Sequence, residues 1–125
     1  MEFQYNKDKT RRNSILGVAE IDDSFGRFEG LSLIGLDRLI KEKFADPESC
    51  QNYSPSISEF YNFMSAHPEF TAHGYAKGLE EDYCVIIEGL QGNSKDTNTI
   101  LDFVQLNRMA DEFDVQLGYQ YSWWD

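Results

Sequence analysis

The hydrophobic period of the chain changes at Pro68, and this change constrains the fold more than any other feature. Before Pro68, apolar residues recur at helical spacing over 32–44 and again over 56–66. After it, apolar and polar residues alternate one by one over 69–77, which is typical of a strand with one buried face. A chain with these two patterns in separate halves is expected to fold as an α+β domain.

The ends of the two helices carry signals of their own. Ser56 and Glu59 have the spacing of a capping box at the start of the second helix, and Pro68 follows its end. The first helix is expected to stop before Asp46 and Pro47, because the residue that precedes a proline is pushed out of the helical region. The sequence therefore predicts two N-terminal helices.

The second half of the chain predicts a β-β-α-β unit. Strands at 69–77 and 83–88 flank a short polar turn, as in an antiparallel hairpin. A loop at 89–95, a helix at 97–113 and a last strand at 115–123 follow. Because a helix that joins two strands of one sheet makes a right-handed crossover, the last strand is expected to run parallel to the strand before the helix. The unit would form a small mixed sheet packed with helices.

Burial is less clear at the end of the chain. In the last strand, the alternation predicts a buried face with Leu117, Tyr119 and Tyr121. Trp123 continues this row, so Trp124 must point the other way. We expect Trp124 to pack in the core, although an exposed ring that binds a partner fits the same pattern.

The length of the chain limits its domain organisation. With 125 residues it fits one domain and is too short for two ordinary ones. Residues 1–13 are polar and charged without a period, so they are expected to form a tail or a loosely held arm. Residues 14–125 are expected to form a single α+β domain, in which 14–30 contributes a short strand or hairpin.

The net charge of the chain limits the kinds of partner that it is expected to bind. The chain has 22 acidic and 11 basic residues, which gives a formal net charge of −11. A field of this sign repels nucleic acid and anionic membrane surfaces and attracts basic protein surfaces. We also find no apolar stretch of membrane-spanning length and no secretory pattern at the start, so the expected compartment is the cytoplasm.

Sequence motifs for catalysis and for metal binding are missing. Gly89 and Gly92 do not fit a strand–loop–helix phosphate fingerprint, and the two cysteines and two histidines lack zinc-site spacing. His73 is the best candidate for acid–base chemistry, with Glu88 as its partner, but an ordinary half-exposed histidine explains the same position. We therefore expect a protein that is not an enzyme and that uses no cofactor and no metal.

Negative charge is concentrated in two short groups, and we expect them to meet at one end of the domain. A strand of six residues at about 3.3 Å each and a returning helix at about 1.5 Å per residue have comparable lengths. The helix would therefore end near the hairpin turn. The six predicted partner-binding residues are Glu80, Glu81, Asp82, Asp111, Glu112 and Asp114. A solvated acidic end without a function is the alternative.

These observations predict a small acidic interaction protein of the inhibitor, immunity or nucleic-acid-mimic type. Its acidic end would dock on a basic partner, because complementary charge speeds encounter and selects the partner. The alternative is a small-ligand-binding or regulatory domain with a cleft on the sheet. That cleft would be lined by His73, Tyr75, Gln120 and Trp124.

Overall fold

The computed structural model describes residues 2–18, 25–78 and 83–125. These residues form an α+β fold with four helices and five strands. The helices are α1 (Lys9–Leu16), α2 (Leu33–Lys41), α3 (Ile57–Ala66) and α4 (Thr97–Asn107). The strands are β1 (Gly26–Leu31), β2 (Thr71–Lys77), β3 (Cys84–Gly92), β4 (Glu112–Gln116) and β5 (Tyr119–Trp123). The strand expected within 14–30 is β1, and residues 19–24 of that stretch lie outside the described residues.

Side-chain caps fix where the helices begin. The predicted capping box of α3 is confirmed: Ser56 Oγ accepts from the Glu59 N–H at 3.2 Å, and Glu59 Oε1 accepts from the Ser56 N–H at 3.1 Å. Ser32 caps α2 and Asp96 caps α4, each by accepting a backbone N–H of the first turn. The two predicted N-terminal helices are therefore present as α2 and α3, with α1 before them.

The five strands form one sheet in the order β1-β2-β3-β5-β4, and each neighbouring pair is antiparallel. The hairpin predicted from 69–77 and 83–88 is confirmed as β2 and β3. β3 continues through the predicted loop as far as Gly92, because Gln91 and Gly92 pair with β5. β1 and β4 are the edge strands.

The predicted parallel last strand is wrong. β4, which follows α4, does point in the same direction as β3, but β5 lies between these strands and is antiparallel to both. The chain reverses at Leu117 and Gly118, where Gly118 has a φ of +90°, in the left-handed region that favours glycine. The segment 115–123 is therefore part of a hairpin, and the sheet is antiparallel rather than mixed.

α4 ends at Asn107, earlier than the predicted helix over 97–113. The Asn107 side chain is fully buried, where its Nδ2 donates to the Phe103 carbonyl oxygen at 3.1 Å. Its Oδ1 accepts from the Trp124 indole N–H at 3.2 Å. These bonds tie the end of the helix to the C-terminal segment, so Asp111 lies in the connection to β4 and not at a helix C-terminus.

The N-terminal segment is packed against the domain, in contrast to the tail or loose arm expected for 1–13. Arg12 in α1 is fully buried, and its Nη1 donates to the Lys77 carbonyl oxygen at 3.3 Å. Its guanidinium also lies 5.3 Å from the centre of the Tyr83 ring. Before α1, the Asn6 N–H donates a hydrogen bond of 2.8 Å to the Lys43 carbonyl oxygen, in the connection that follows α2. A polar composition is therefore not enough to distinguish a packed N-terminal segment from a mobile tail.

The core lies between one face of the sheet and the helices. At its centre, the Phe70 ring packs edge-on against Phe63 at 5.0 Å and stacks on Phe103 at 5.5 Å. β2 contributes Ala72 and Ala76 to this core from a single face. The core therefore lies on the face of the sheet to which Ala72 and Ala76 point, whereas the residues of the opposite face range from buried on β3 to exposed on β4.

Candidate functional site

The face of the sheet opposite the core is called the open face here. In β2, the partly exposed residues Thr71, His73, Tyr75 and Lys77 lie on this face, and the residues between them are buried. Successive side chains of a strand point to opposite faces, and residues directly opposite each other in an antiparallel pair share a face. The alternation in β2 therefore assigns the faces of the other strands through their register.

One row of the open face runs across four strands. Thr71 of β2 pairs with Gln91 of β3, Gln91 pairs with Tyr121 of β5, and Tyr121 pairs with Asp114 of β4. The hairpin of β2 and β3 and the C-terminal hairpin thus present one continuous surface. This surface joins two segments that are separated by a helix in the sequence.

Two carboxylates of this surface lie directly beside aromatic rings. Glu112 is opposite Trp123, and Asp114 is opposite Tyr121. We call these four residues the carboxylate–aromatic patch. Both carboxylates are exposed, and neither forms an ion pair with another described residue. The patch therefore carries negative charge that the described part of the chain does not neutralise.

His73 lies beside the patch and is held by two contacts. Its Nε2 donates to the Ser122 carbonyl oxygen at 2.8 Å, which makes Nδ1 the acceptor of the neutral ring. Its ring stacks on Tyr121 with 5.0 Å between centres. To reach β5, the ring passes over Gly89, where a Cβ would overlap the Ser122 carbonyl and crowd the imidazole. Burial lowers the pKa of His73, and the bond to Ser122 opposes this only in part.

Glu88 supplies a buried carboxylate in the same region. It sits at an irregularity in the pairing of β2 with β3, and its side chain is 3% exposed. Its Oε1 accepts from Arg27 Nη1 of β1 at 2.5 Å, although the Arg27 side chain is 57% exposed. Burial raises the pKa of Glu88, and the positive charge of Arg27 works against this rise. The pair therefore joins a buried anion to a cation that stands in solvent.

A cleft of about 450 Å³ lies over these groups. The cleft is lined by Glu88 and His73, by the aromatic residues Tyr121 and Trp123, and by Leu16 at the end of α1. The site thus combines planar rings, one buried carboxylate and an apolar wall, which suits a flat cationic group.

The predicted cleft residues fall on different faces of the sheet. His73 and Tyr75 lie on the open face, whereas Gln120 and Trp124 are buried on the core face at 0% and 5% exposure. In the last strand, the side that was predicted to be buried lies on the open face. The predicted core packing of Trp124 is confirmed. The signal that sequence reasoning missed is the pair Tyr121 and Trp123, which were expected to be core residues.

The predicted acidic surface is described only in part. Asp111, Glu112 and Asp114 are exposed, but their meeting with Glu80, Glu81 and Asp82 stays a prediction, because 79–82 lie outside the described residues. The helix that was expected to bring the two groups together ends too early.

The described end of the hairpin also lies away from β4. Glu88, whose carbonyl oxygen accepts from the Trp124 N–H at 2.7 Å, follows Cys84 by four residues. Glu112 is opposite Trp123, and is therefore close to the level of Glu88 in the sheet. At about 3.3 Å per residue and about 4.8 Å per strand, Cys84 is roughly 13 Å along the sheet and 10 Å across it from Glu112.

A groove of about 760 Å³ between α3 and α4 is a second concave surface. Tyr53 and Met109 at its margins are 96% and 76% exposed. Its carboxylates already have structural partners: Glu59 belongs to the capping box of α3, and Asp102 accepts from His67 at 3.0 Å. The open face is therefore the stronger candidate, since neither patch carboxylate caps a helix or pairs with a described cation, although Asp114 accepts from the exposed Gln116 amide at 3.2 Å.

Among the described residues, no group of three or more histidine, cysteine, aspartate or glutamate side chains is placed to hold a metal ion. None of the helices within the described ranges has the length and apolarity needed to cross a membrane. The chain matches no protein family model, no curated protein and no solved structure. The function is therefore inferred from the site itself.

Proposed function

We propose that this protein is a non-enzymatic interaction protein, of the inhibitor or immunity type, that binds a basic protein partner through the open face of its sheet. The observation that carries the proposal is the register of β4 and β5. It sets Glu112 beside Trp123 and Asp114 beside Tyr121 on the open face, where both carboxylates are exposed and both rings are partly exposed.

The chemistry of this face suits lysine and arginine side chains. Carboxylates attract the charge, and the faces of tyrosine and tryptophan rings bind cations that stack on them. The open face carries the carboxylates of Glu29, Glu88, Glu112 and Asp114 against the cations Arg27 and Lys77, a balance of 2 − 4 = −2. The local charge thus has the sign of the whole chain.

The edge position of β4 gives the same acids a second role. An edge strand exposes unpaired backbone groups, and charged side chains on it discourage pairing with another chain. Solubility would be served by any exposed acid on the strand. Recognition of a partner requires in addition that the acids lie beside rings on one face, as Glu112 and Asp114 do.

A charge-matched comparison tests the proposal. The double variant Glu112→Gln/Asp114→Asn removes the charge of the patch, and Glu2→Gln/Glu48→Gln removes the same charge from exposed residues elsewhere. With an eight-residue oligoarginine peptide at low salt as the probe, we expect the first variant to bind roughly three- to tenfold more weakly than the native chain. The second should change binding by less than about twofold, because charges that lie far from the bound peptide contribute much less than charges in contact with it.

Nuclear magnetic resonance locates the contact in the same experiment. The peptide should shift the indole N–H signal of Trp123 on the open face and leave that of the buried Trp124 nearly unchanged. Equal losses for the two double variants would mean that only net charge matters, and the proposal would fail.

A small-ligand-binding role is the second candidate, and the cleft over Glu88 favours it. This role predicts that binding depends on different residues. Binding of a small ligand in the cleft would depend on His73 and Tyr121 and would be insensitive to the charges of Glu112 and Asp114 at the edge of the sheet.

A further inference from the structure

The ion pair between Arg27 and Glu88 is unequal in its surroundings. The carboxylate is 3% exposed, whereas the arginine side chain that reaches it is 57% exposed. Arg27 stands on the edge strand β1, and its guanidinium also lies 5.3 Å from the centre of the Phe25 ring. Most of this side chain is therefore in solvent, and only its tip meets the buried acid.

This geometry establishes that Glu88 can be reached from outside. A guanidinium on a flexible stem already approaches Oε1 across the open face. A guanidinium on a stem that belongs to another molecule has the same reach and the same hydrogen-bonding fork. Leaving Glu88 without any cation would be costly, since an unpaired buried carboxylate loses its hydration. Exchange of one guanidinium for another avoids that cost.

The residues that line the cleft have the chemistry to bind a guanidinium. They include the aromatic residues Tyr121 and Trp123, the imidazole of His73, Gln91 and the carboxylate of Glu29. A guanidinium is planar and weakly hydrated, so it stacks on such rings more readily than an ammonium does.

We propose that the cleft over Glu88 receives an arginine side chain of the basic partner, whose guanidinium takes the place of Arg27 on the Glu88 carboxylate. The inference rests on the proposed function and deepens it, because it names the residue type that the open face selects. Arg27 acts as an internal occupant that keeps the buried acid paired until the partner binds.

Removing the internal occupant tests the exchange. Nα-acetyl-L-arginine amide is titrated into the native chain, Arg27→Gln and the charge-matched control Arg38→Gln, which changes an exposed residue of α2. We expect Arg27→Gln to bind this probe at least about tenfold more tightly than the native chain, since the site is no longer occupied for most of the time. Arg38→Gln should match the native chain.

Two further probes define the selectivity. Nα-acetyl-L-citrulline amide has the shape of the arginine probe without its charge, and should not bind Arg27→Gln measurably. The lysine analogue should bind several-fold more weakly than the arginine probe, because an ammonium lacks the fork. Equal binding of the lysine and arginine probes would overturn the assignment of the cleft to arginine.

The outcomes separate the two proposals. If Arg27→Gln and Arg38→Gln respond alike while oligoarginine binding still depends on Glu112 and Asp114, the exchange is refuted and the proposed function stands. If oligoarginine binding is indifferent to that pair of acids, the proposed function fails first. Should Arg27→Gln not give a folded spectrum, Arg27→Lys keeps a cation without the fork, and a smaller gain in affinity is expected; no gain in that variant refutes the exchange.

Discussion

The burial of residues on the two faces of the sheet is the opposite of what hydrophobicity suggests: polar side chains are buried on the core face, and aromatic rings are partly exposed on the open face. The core face buries the polar side chains of Gln120 and Ser122 completely. The open face leaves the rings of Tyr119, Tyr121 and Trp123 partly exposed, although they alternate with those polar residues along β5. Hydrogen bonds available in the fold, and not polarity alone, therefore decide which side of this strand is buried.

The two buried polar side chains of β5 on the core face have specific partners. Gln120 Oε1 accepts from the Ser94 N–H at 2.8 Å, and its Nε2 donates to the carbonyl oxygens of Ser94 and Gln116 at 2.9 and 2.8 Å. Ser122 Oγ accepts from the Leu90 N–H at 3.1 Å. Because these amide and hydroxyl groups replace water for backbone groups that would otherwise be orphaned, they are stable where they are.

The largest effect is expected from an aromatic residue of the core face. Phe70→Ala should lower the free energy of unfolding by about 3–5 kcal/mol, since Phe70 is fully buried between Phe63 and Phe103. Tyr119→Ala on the open face should cost less than about 1 kcal/mol. Urea unfolding of both variants measures the difference. Equal costs would mean that the open face is packed like a core.

An intermediate effect is expected from the buried amide. Gln120→Ala should lower the free energy of unfolding by about 1–3 kcal/mol, because backbone groups of Ser94 and Gln116 lose their partner. Gln105→Ala removes an exposed amide from α4 and should stay within about 0.5 kcal/mol of the native chain. Urea unfolding is again the measurement, and a harmless Gln120→Ala would contradict our account of the core face.

The smallest effect is expected from His73 on the open face and depends on pH. Burial lowers the pKa of His73 in the folded chain below the value of 6.5 for an unperturbed histidine. The unfolded chain therefore binds the proton first as the pH falls, so the stability that neutral His73 contributes above pH 6.5 is lost at lower pH. Relative to His73→Gln, the native chain should lose at most about 1.4 kcal/mol per pH unit below this value.

Urea unfolding at pH 7.5, 6.5 and 5.5 measures this slope. The raised pKa of Glu88 acts with the opposite sign, because a carboxyl that binds its proton more tightly in the folded chain loses stability as the pH rises. The difference between the native chain and His73→Gln cancels that contribution. A difference that does not change with pH would contradict the buried, neutral state of His73.

The sequence predicted the elements that depend on local signals. The capping residues Ser56 and Glu59 and the alternation over 69–77 placed α3 and β2 correctly, because caps and turns act within a few residues. Part of the candidate site could be found in this way: the alternation in β2 puts His73 on one face, and the acids Glu112 and Asp114 stand out in the sequence.

The position of Tyr121 and Trp123 beside these acids could not be predicted, because it depends on contacts between distant segments. The Trp124 indole bonds Asn107 and ties the end of α4 to the C-terminal segment. Gly118 reverses the chain and inserts β5 between β3 and β4. The hydrogen bond of Trp124 and the chain reversal at Gly118 place Tyr121 and Trp123 on the open face, beside the acidic residues of β4.

Composition and local sequence signals were enough to establish that the chain is acidic, that it folds as an α+β domain and where most of its helices begin. These properties follow from composition and from interactions between near neighbours, which any fold of the chain must satisfy. Only the tertiary structure decided which side of β5 is buried and which cation meets Glu88. Both depend on whether a distant backbone or side-chain group arrives to satisfy a polar atom, and a one-dimensional pattern does not contain that information.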